Sequence, residues 1–256
     1  IDINKISGCE TNVSKLIPFL DEHGLNNLKT RLLNKADNDL DFEKNYINKK
    51  SKYDTIYDKD SLETFIEKIL ESHVMSIDTE TASIKALEAK LIGISISYKI
   101  GEAFYIPIQH ESSEKNQLNL SFIIRKLNPL LSDPSILKVG QNIKYDLQVL
   151  ENNGFGKIYP LEDTMLMSYT LSAGLHNHNL DYLSEKYLNY KKISYKEIVG
   201  TGKKEICFSK VEINKASFYA CEDADITLKI WHIIKDLLIK EKLVSVYEYI
   251  EKPLIE

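Results

Sequence analysis

Residues 74–80 read VMSIDTE, a short and largely apolar run that ends in two acidic residues. A run of this length and composition predicts a buried β-strand. Side chains two apart on a strand point to the same face, so we expect Asp78 and Glu80 to converge while Thr79 turns away. The segment therefore predicts a strand that ends in a pair of carboxylates.

The segments around this strand predict an α/β domain. Upstream, we expect a strand over 53–57 and a helix over Ser61–Leu70 with Asp60 as its N-cap. Downstream, LIGISISY (91–98) and AFYIPI (103–108) predict an antiparallel meander. Helices and strands then alternate: a helix over 121–131, a strand over 136–140, a helix from Tyr145 closed by Gly154, helices over 163–171 and 180–188, a polar loop through Gly200 and Gly202, and a long helix from about Val211 to Lys242. This order predicts a mixed central sheet flanked by helices.

Four carboxylates lie in three separated motifs: Asp78 and Glu80 in IDTET (77–81), Asp146 in GQNIKYD (140–146) and Asp223 in YACEDAD (219–225). We expect Asp146 in the first turn of its helix. Tyr219 and Asp223 are four residues apart, so they share one helical face.

Carboxylate oxygens are hard ligands that suit Mg²⁺ or Mn²⁺ better than zinc. Four crowded carboxylates would repel one another without cations, so the cluster makes sense chiefly as a metal cage. Two cations about 4 Å apart can clamp a phosphodiester for attack by water. The four acids therefore predict a two-metal nuclease site, in which Tyr219 would position the water.

The composition bounds the class of protein. The chain has 256 residues, 43% of them hydrophobic, and a formal net charge of −5 with a pI of about 5.8. The acidic balance gives no global basic field for duplex binding, so nucleic acid would have to bind locally. Apolar runs are too short for a membrane span, and three cysteines without CxxC spacing indicate a reducing cytoplasm.

The N-terminal part differs from the rest. Apolar residues over 11–33 predict a helix pair broken at Gly24, and residues 34–52 have the polar composition of a linker. Because Ile1 is not an initiator Met, we expect the chain to be an excised piece of something longer.

The three acidic motifs, in this order and at these separations, resemble those of the 3′–5′ proofreading exonuclease domain of bacterial DNA polymerase I, a family A polymerase. The resemblance runs from about Tyr53 to Trp231 and includes YIPI (105–108), LKVGQN (137–142) and EDTMLMSY (162–169). It implies the ribonuclease-H-like exonuclease fold, the tyrosine variant of the DEDD exonuclease superfamily, and removal of nucleotides from a DNA 3′ end.

Residue by residue, the resemblance implies that Asp78, Glu80 and Asp223 hold the tighter metal and that Asp78 with Asp146 holds the second. It also implies contacts with the terminal bases by Ile84 and Tyr195. Three further residues match positions near the DNA backbone: Gln141, Asn142 and Tyr145.

The resemblance also implies a domain order: residues 1–33 as the end of a 5′ nuclease region, 34–52 as a linker, 53–244 as the exonuclease domain, and 245–256 as the lead-in to a polymerase domain absent from this chain. The partners would be a single-stranded DNA 3′ end and that polymerase domain. We expect the fragment itself to be monomeric, in the bacterial cytoplasm or nucleoid.

Other interpretations stay open. An RNA-trimming exonuclease would use the same four acids, and a catalytically silent scaffold or single-strand binding module would use the fold without them. His176 and His178 fit a polar loop better than a metal site. Four lysines either follow a DNA backbone or form a solvated surface: Lys191, Lys192, Lys203 and Lys204.

Overall fold

A six-stranded mixed sheet forms the centre of the computed structural model. The described residues are 13–23, 51–83, 85–111, 117–202 and 205–255. Four predicted features therefore lie outside the described residues: the second half of the N-terminal helix pair, nearly all of the linker, Ile84, and the pair Lys203 and Lys204.

The strands are β1 (Lys52–Thr55), β2 (Val74–Thr81), β3 (Leu91–Lys99), β4 (Glu102–Pro107), β5 (Leu137–Gly140) and β6 (Leu161–Asp163). They lie side by side in the order β1-β4-β3-β2-β5-β6. The pairs β2–β3 and β3–β4 are antiparallel, which confirms the predicted meander. The outer pairs β1–β4, β2–β5 and β5–β6 are parallel.

The α-helices of five or more residues in the described regions are α1 (Val13–Glu22), α2 (Lys59–Ser72), α3 (Leu120–Leu131), α4 (Ile143–Asn152), α5 (Thr164–Ser172), α6 (Leu180–Leu188), α7 (Tyr195–Val199) and α8 (Ile213–Lys240). The predicted helices are confirmed within two or three residues at most ends. The short helix α7 was missed in the predicted polar loop, although Ser194 and Glu197 form the capping box that signals such a start.

The predicted N-cap of α2 was wrong. The helix begins at Lys59, and the side chain of Asp58, not that of Asp60, accepts a hydrogen bond from the backbone N–H of Ser61. Asp60 lies in the first turn, where a carboxylate is favourable beside the positive end of the helix dipole but caps nothing.

The two faces of β2 contact different layers. One face carries Met75 and Ile77 into the main core, which packs against α2, α3 and α4. The other face lies against α8, where the Ser76 hydroxyl donates to the carbonyl of Ala224 over 2.6 Å. Asp78 and Glu80 share this second face by strand periodicity, so α8 crosses the sheet on the side of the acidic pair.

Close contact within the sheet depends on Gly93 in β3. A Cβ built there would lie 2.0 Å from the Tyr105 hydroxyl, so the tyrosine ring occupies the place of a side chain at this position. Tyr105 is fully buried, in the cluster that packs against α8.

The segment after α8 packs back on the domain. It forms short helical turns over 244–255, in which Tyr247 and Ile255 are buried. The Tyr247 hydroxyl accepts a hydrogen bond from the backbone N–H of Asp163 over 3.1 Å. None of the helices in the described parts of the chain is long and apolar enough to cross a membrane.

Candidate active site

The first two acids lie at the end of β2. Glu80 is buried and Asp78 is partly buried. Burial raises the pKa of Asp78 well above its usual range, and the carboxylates of Asp146, Glu80 and Asp223 raise it further. Burial likewise raises the pKa of Glu80, and the nearby carboxylate of Asp223 raises it further. The mutual effects place acids from all three motifs near one another.

The third acid, Asp146, lies in the first turn of α4, as predicted. The buried Asp163 fixes the start of this helix by accepting hydrogen bonds from the backbone N–H groups of Asn142 and Ile143. Burial raises the pKa of Asp146 to about 7, against the lowering effect of hydrogen bonds from Thr79. Burial of this carboxyl group therefore opposes its ionisation.

Thr79 turns away from Asp78 and Glu80, as predicted, but it contacts the third acid. Its backbone N–H and its hydroxyl both donate to Oδ1 of Asp146, over 2.9 and 2.6 Å. Thr79 does point to the opposite face of β2 from Asp78 and Glu80, but α4 brings Asp146 to the strand from that face. Thr79 therefore joins the second motif to the first.

The fourth acid, Asp223, lies on α8 one turn after Tyr219, and both are buried. Burial raises the pKa of Asp223 to about 7, while the ammonium group of Lys192 lowers it. For Tyr219, burial raises the pKa far above the usual value, and the carboxylates of Asp223, Glu80 and Asp78 raise it further. The phenol is therefore neutral at any physiological pH.

The other acids of YACEDAD have structural partners. Asp225 is fully buried and accepts from the Tyr53 hydroxyl at 2.8 Å, the Gly101 N–H at 2.7 Å and the Lys229 ammonium at 2.7 Å. Glu222 accepts from the Tyr190 hydroxyl at 2.6 Å and the Ile193 N–H at 2.8 Å. Only Asp223 of the three takes part in the acidic cluster.

Lys192 is the site residue that the sequence did not place. Its side chain is 4% exposed, and its ammonium lies 2.9 Å from Oδ1 of Asp223 and 3.1 Å from Oδ1 of Asp181. The sequence left two interpretations for Lys192, contact with a DNA backbone or a solvated surface. The structure instead buries Lys192 against an acid of the third motif. Its neighbour Lys191 is exposed.

A cleft of about 760 Å³ opens beside Glu80. Its lining includes Thr81, Ser83, Tyr195, Ile206 and Phe208. The ring of Tyr195 is stacked on that of Phe208 with 8° between their planes, and Tyr195 remains 43% exposed. The predicted base-contacting tyrosine therefore lines the cleft next to the acids.

Three other predicted DNA contacts among the described residues lie near the start of α4: Gln141, Asn142 and Tyr145. The Tyr145 hydroxyl donates to the carbonyl of Ser83 and contacts the Thr81 hydroxyl, at 2.7 Å each. The amide of Gln141 donates to the carbonyl of His178 and accepts from Thr164, so its polar atoms have protein partners. Asn142 is exposed, with a left-handed backbone at φ 59°.

Within the described residues, no three His, Cys, Asp or Glu side chains form a group that could hold a metal ion. The acids are close enough to raise one another's pKa. Two of the acids also have other partners. Oδ1 of Asp146 accepts a hydrogen bond from the Thr79 hydroxyl, and Oδ1 of Asp223 forms an ion pair with Lys192. The predicted cage is therefore present as a cluster, but not in a coordinating arrangement.

Comparison with known sequences identifies the family of the chain. A family model described as 3′-5′ exonuclease matches residues 53–239. DNA polymerase I of Rhizobium leguminosarum is 38% identical over an alignment of 224 residues, and the match covers 80% of this chain and 22% of that protein. The chain thus spans about a fifth of the length of the curated relatives it matches.

Comparison with solved structures agrees with the fold. Brucella melitensis NrnC with bound Mg²⁺ matches 81% of this chain and 90% of its own, with a TM-score of 0.59 and 21% identity. Escherichia coli RNase D, an exoribonuclease involved in structured RNA processing, matches 77% of this chain and 46% of its own, with a TM-score of 0.57 and 19% identity. At these identities the likeness shows the fold alone, and the predicted ribonuclease-H-like fold is confirmed.

The family model covers all three acidic motifs, and the polymerase relatives match about four fifths of the chain. The chain belongs to the 3′–5′ exonuclease family, in the form of the exonuclease domain of DNA polymerase I.

Proposed function

We propose that this domain is a metal-dependent 3′–5′ exonuclease that removes nucleotides from single-stranded or frayed DNA ends and serves as the proofreading module of a DNA polymerase. One observation carries the proposal. Four carboxylates from three distant motifs meet in one buried cluster, and each has a raised pKa. Such a cluster costs stability unless cations neutralise it, which favours a function that uses cations.

The donor set fits divalent cations such as Mg²⁺ or Mn²⁺. Asp78, Glu80 and Asp223 would hold one cation, and Asp78 with Asp146 would hold the other. All donors are carboxylate oxygens, the ligands that these hard cations prefer. When bound, the cations would lower the pKa of the attacking water and stabilise the charge that develops on the phosphate.

The chain's own residues would orient the reacting groups. The Tyr219 hydroxyl keeps its proton, because its pKa is raised, so it can donate a hydrogen bond and hold a water molecule beside Asp223. Burial of the acids removes competing water and strengthens electrostatic interactions at this point. The role of Tyr219 would therefore be to position the nucleophile rather than to accept its proton.

The cleft beside Glu80 would hold the terminal nucleotides. Tyr195 presents an exposed ring there, and an aromatic ring stacks on any base with about 1 to 3 kcal/mol per base. Stacking does not depend on sequence, so selection of mismatched ends would follow from how readily the end unpairs. Four further residues remain predicted contacts of the DNA strand: Ile84, Gln141, Asn142 and Tyr145.

The polymerase domain would be supplied by the same polypeptide. Residues 1–33 would then close a 5′ nuclease region, 34–52 would be the linker, 53–244 the exonuclease domain, and 245–256 the approach to the polymerase domain.

Digestion of 5′-labelled oligonucleotides tests the proposal. We expect Mn²⁺ or Mg²⁺ to support stepwise shortening of single-stranded DNA from its 3′ end, faster for a mismatched duplex end than for a matched one. EDTA should abolish the activity. An RNA strand of the same sequence should be shortened more slowly, and equal or faster shortening of RNA would favour the RNA-trimming alternative.

Two controls separate chemistry from binding. Asp223→Asn, checked for a native circular dichroism spectrum, should lose the activity. A fully active Asp223→Asn variant would show that any digestion came from another site. Failure of the wild-type protein to shorten any strand in any divalent cation, while still binding DNA, would support the silent binding module.

A further inference from the structure

The ammonium group of Lys192 contacts one of the four site acids, Asp223. It is 2.9 Å from Oδ1 of Asp223 and 3.1 Å from Oδ1 of Asp181, and it lies 4.9 Å from the centre of the Tyr219 ring. With its side chain 4% exposed, this is a buried charge in contact with an acid predicted to bind metal. A buried charge of this kind is stable only because it is paired.

The loop that carries Lys192 is fixed to the helix that carries Asp223. Glu222, the residue before Asp223, accepts hydrogen bonds from the Tyr190 hydroxyl and from the backbone N–H of Ile193. These two contacts lie on either side of Lys192 in the sequence. The lysine is therefore held at Asp223 by its backbone as well as by its charge.

The ammonium group of Lys192 has two carboxylate partners. It contacts Asp223 in the site and Asp181 beside it, over 2.9 and 3.1 Å. A buried ammonium group paired in this way keeps its charge. Asp223 is therefore already paired with a positive charge that belongs to the protein.

We propose that the Lys192 ammonium is the counter-ion of the metal-free site, and that a divalent cation entering at Asp223 displaces it toward Asp181. The proposal rests on the metal-dependent function proposed above.

Two features make the displacement feasible. A lysine and a divalent cation on the same carboxylate repel each other, so binding of the metal favours movement of the ammonium group away from Asp223. Asp181 also contacts the Lys192 ammonium group, and its side chain is 57% exposed. It therefore offers the lysine a second partner nearer to solvent. The lysine would therefore compete with the metal and reduce its affinity for the site.

Direct measurement of Mn²⁺ binding tests this without any enzymatic assay. In isothermal titration calorimetry at fixed ionic strength, Lys192→Met should bind Mn²⁺ at least about tenfold more tightly than the wild-type protein. Lys192→Arg, which keeps the charge, should bind Mn²⁺ no more tightly than wild type. Lys191→Met, which removes an exposed charge from the neighbouring residue, should match wild type.

Each outcome separates the two proposals. Equal Mn²⁺ affinity for wild type and Lys192→Met would overturn the competition while leaving the metal site intact. Weaker binding by Lys192→Met would also overturn it, and would mean that the lysine holds the ligands in place for the metal. No Mn²⁺ binding by any of the four proteins would overturn both this inference and the proposed metal centre.

Thermal unfolding provides a second readout in case Lys192→Met folds poorly without metal. In EDTA this variant should melt below wild type, because Asp223 is left buried and unpaired. Saturating Mn²⁺ should remove most of that difference, or restore the native circular dichroism spectrum if the metal-free variant is unfolded. A deficit of the same size in EDTA and in Mn²⁺ would show a purely structural role and would overturn the inference.

Discussion

At the residue scale, acids next to one another in the sequence have different roles. In YACEDAD, the helical period of about 3.6 residues turns Glu222, Asp223 and Asp225 in different directions. Asp223 faces the cluster on β2, whereas Asp225 is enclosed by the Tyr53 hydroxyl, the Gly101 N–H and the Lys229 ammonium. The motif therefore combines a site residue with two residues that fix the helix to its surroundings.

This division predicts opposite effects for two similar substitutions. Asp223→Asn should lower the exonuclease rate by more than about 100-fold, since loss of residues that only support the ligands costs about 10 to 100 fold. Asp225→Asn should instead destabilise the domain by about 2 to 4 kcal/mol, because it breaks a buried ion pair and hydrogen bonds. Urea unfolding and oligonucleotide digestion of both variants measure the two effects.

The roles of these two aspartates would be contradicted by the reverse pattern. A stable but inactive Asp225→Asn protein would show that Asp225 takes part in catalysis. An active Asp223→Asn protein would show that Asp223 is not needed for catalysis.

The sequence predicted the residues that carry their own signal and missed those that depend on a partner. The four acids and Tyr219 stand in recognisable motifs, and the structure brings them together. Lys192 and Thr79 do not stand in such motifs. A lysine in a charged loop and a threonine on a strand give no indication of a role until the positions of α8 and α4 are known. Their contacts with Asp223 and Asp146 depend on how distant segments pack.

At the scale of elements, the sheet was predictable because each strand of the meander has a strong local pattern. Element boundaries were less predictable, as at α2, where two aspartates compete for the cap and backbone geometry decides for Asp58. Short elements such as β6 and α7 were also missed. Three to five residues give too little periodicity to distinguish them from a loop.

Gly93 gives a test of packing within the sheet. Gly93→Ala should destabilise the domain by about 1 to 3 kcal/mol or more, because the added Cβ would meet the buried Tyr105 ring. Gly156→Ala is the matched control, since a Cβ there would meet its nearest atom at 3.8 Å, an ordinary contact. Thermal unfolding should separate the two variants, and equal stability would argue against the Gly93–Tyr105 contact.

Lys138 gives a test of a buried charge in β5. It is fully buried and donates to the backbone carbonyls of Leu130, Asp133, Ile136 and Tyr159. Burial lowers the pKa of Lys138 to about 8, while Asp133 opposes the shift. Between pH 8 and the usual lysine pKa of 10.5, the folded chain therefore binds fewer protons than the unfolded chain.

The sign follows from this difference in bound protons. The wild-type protein should gain stability relative to Lys138→Met as the pH rises from 8 toward 10, with a slope of at most about 1.4 kcal/mol per pH unit. Urea unfolding of both proteins across this range measures the difference. A difference that is constant with pH would mean that Lys138 keeps its ordinary pKa.

At the scale of the whole molecule, the acidic cluster makes the metal-free domain sensitive to pH. The folded pKa values of Asp146 and Asp223 are about 7, against an ordinary value of 3.8. The folded state therefore binds more protons than the unfolded state between these values. The stability that this provides is fully present below about pH 4 and is lost as the pH rises through 7.

We therefore expect the free energy of unfolding in EDTA to fall between pH 5 and pH 8. The double variant Asp78→Asn, Asp146→Asn should show a flatter profile, because it removes two of the mutually repelling charges. Saturating Mn²⁺ should also flatten the profile, since a ligand that binds only the folded state stabilises it. Stability that rises through pH 7 in EDTA would contradict the raised carboxyl pKa values.

Anomalous X-ray diffraction from crystals grown with Mn²⁺ and a short single-stranded DNA tests the central claim most directly. We predict one manganese peak among Asp78, Glu80 and Asp223 and a second about 4 Å away between Asp78 and Asp146, with the DNA 3′ end in the cleft beside Tyr195. Lys192 should have moved from Asp223 toward Asp181. Manganese bound only elsewhere, with the four acids free of metal and Lys192 still paired with Asp223, would contradict the account.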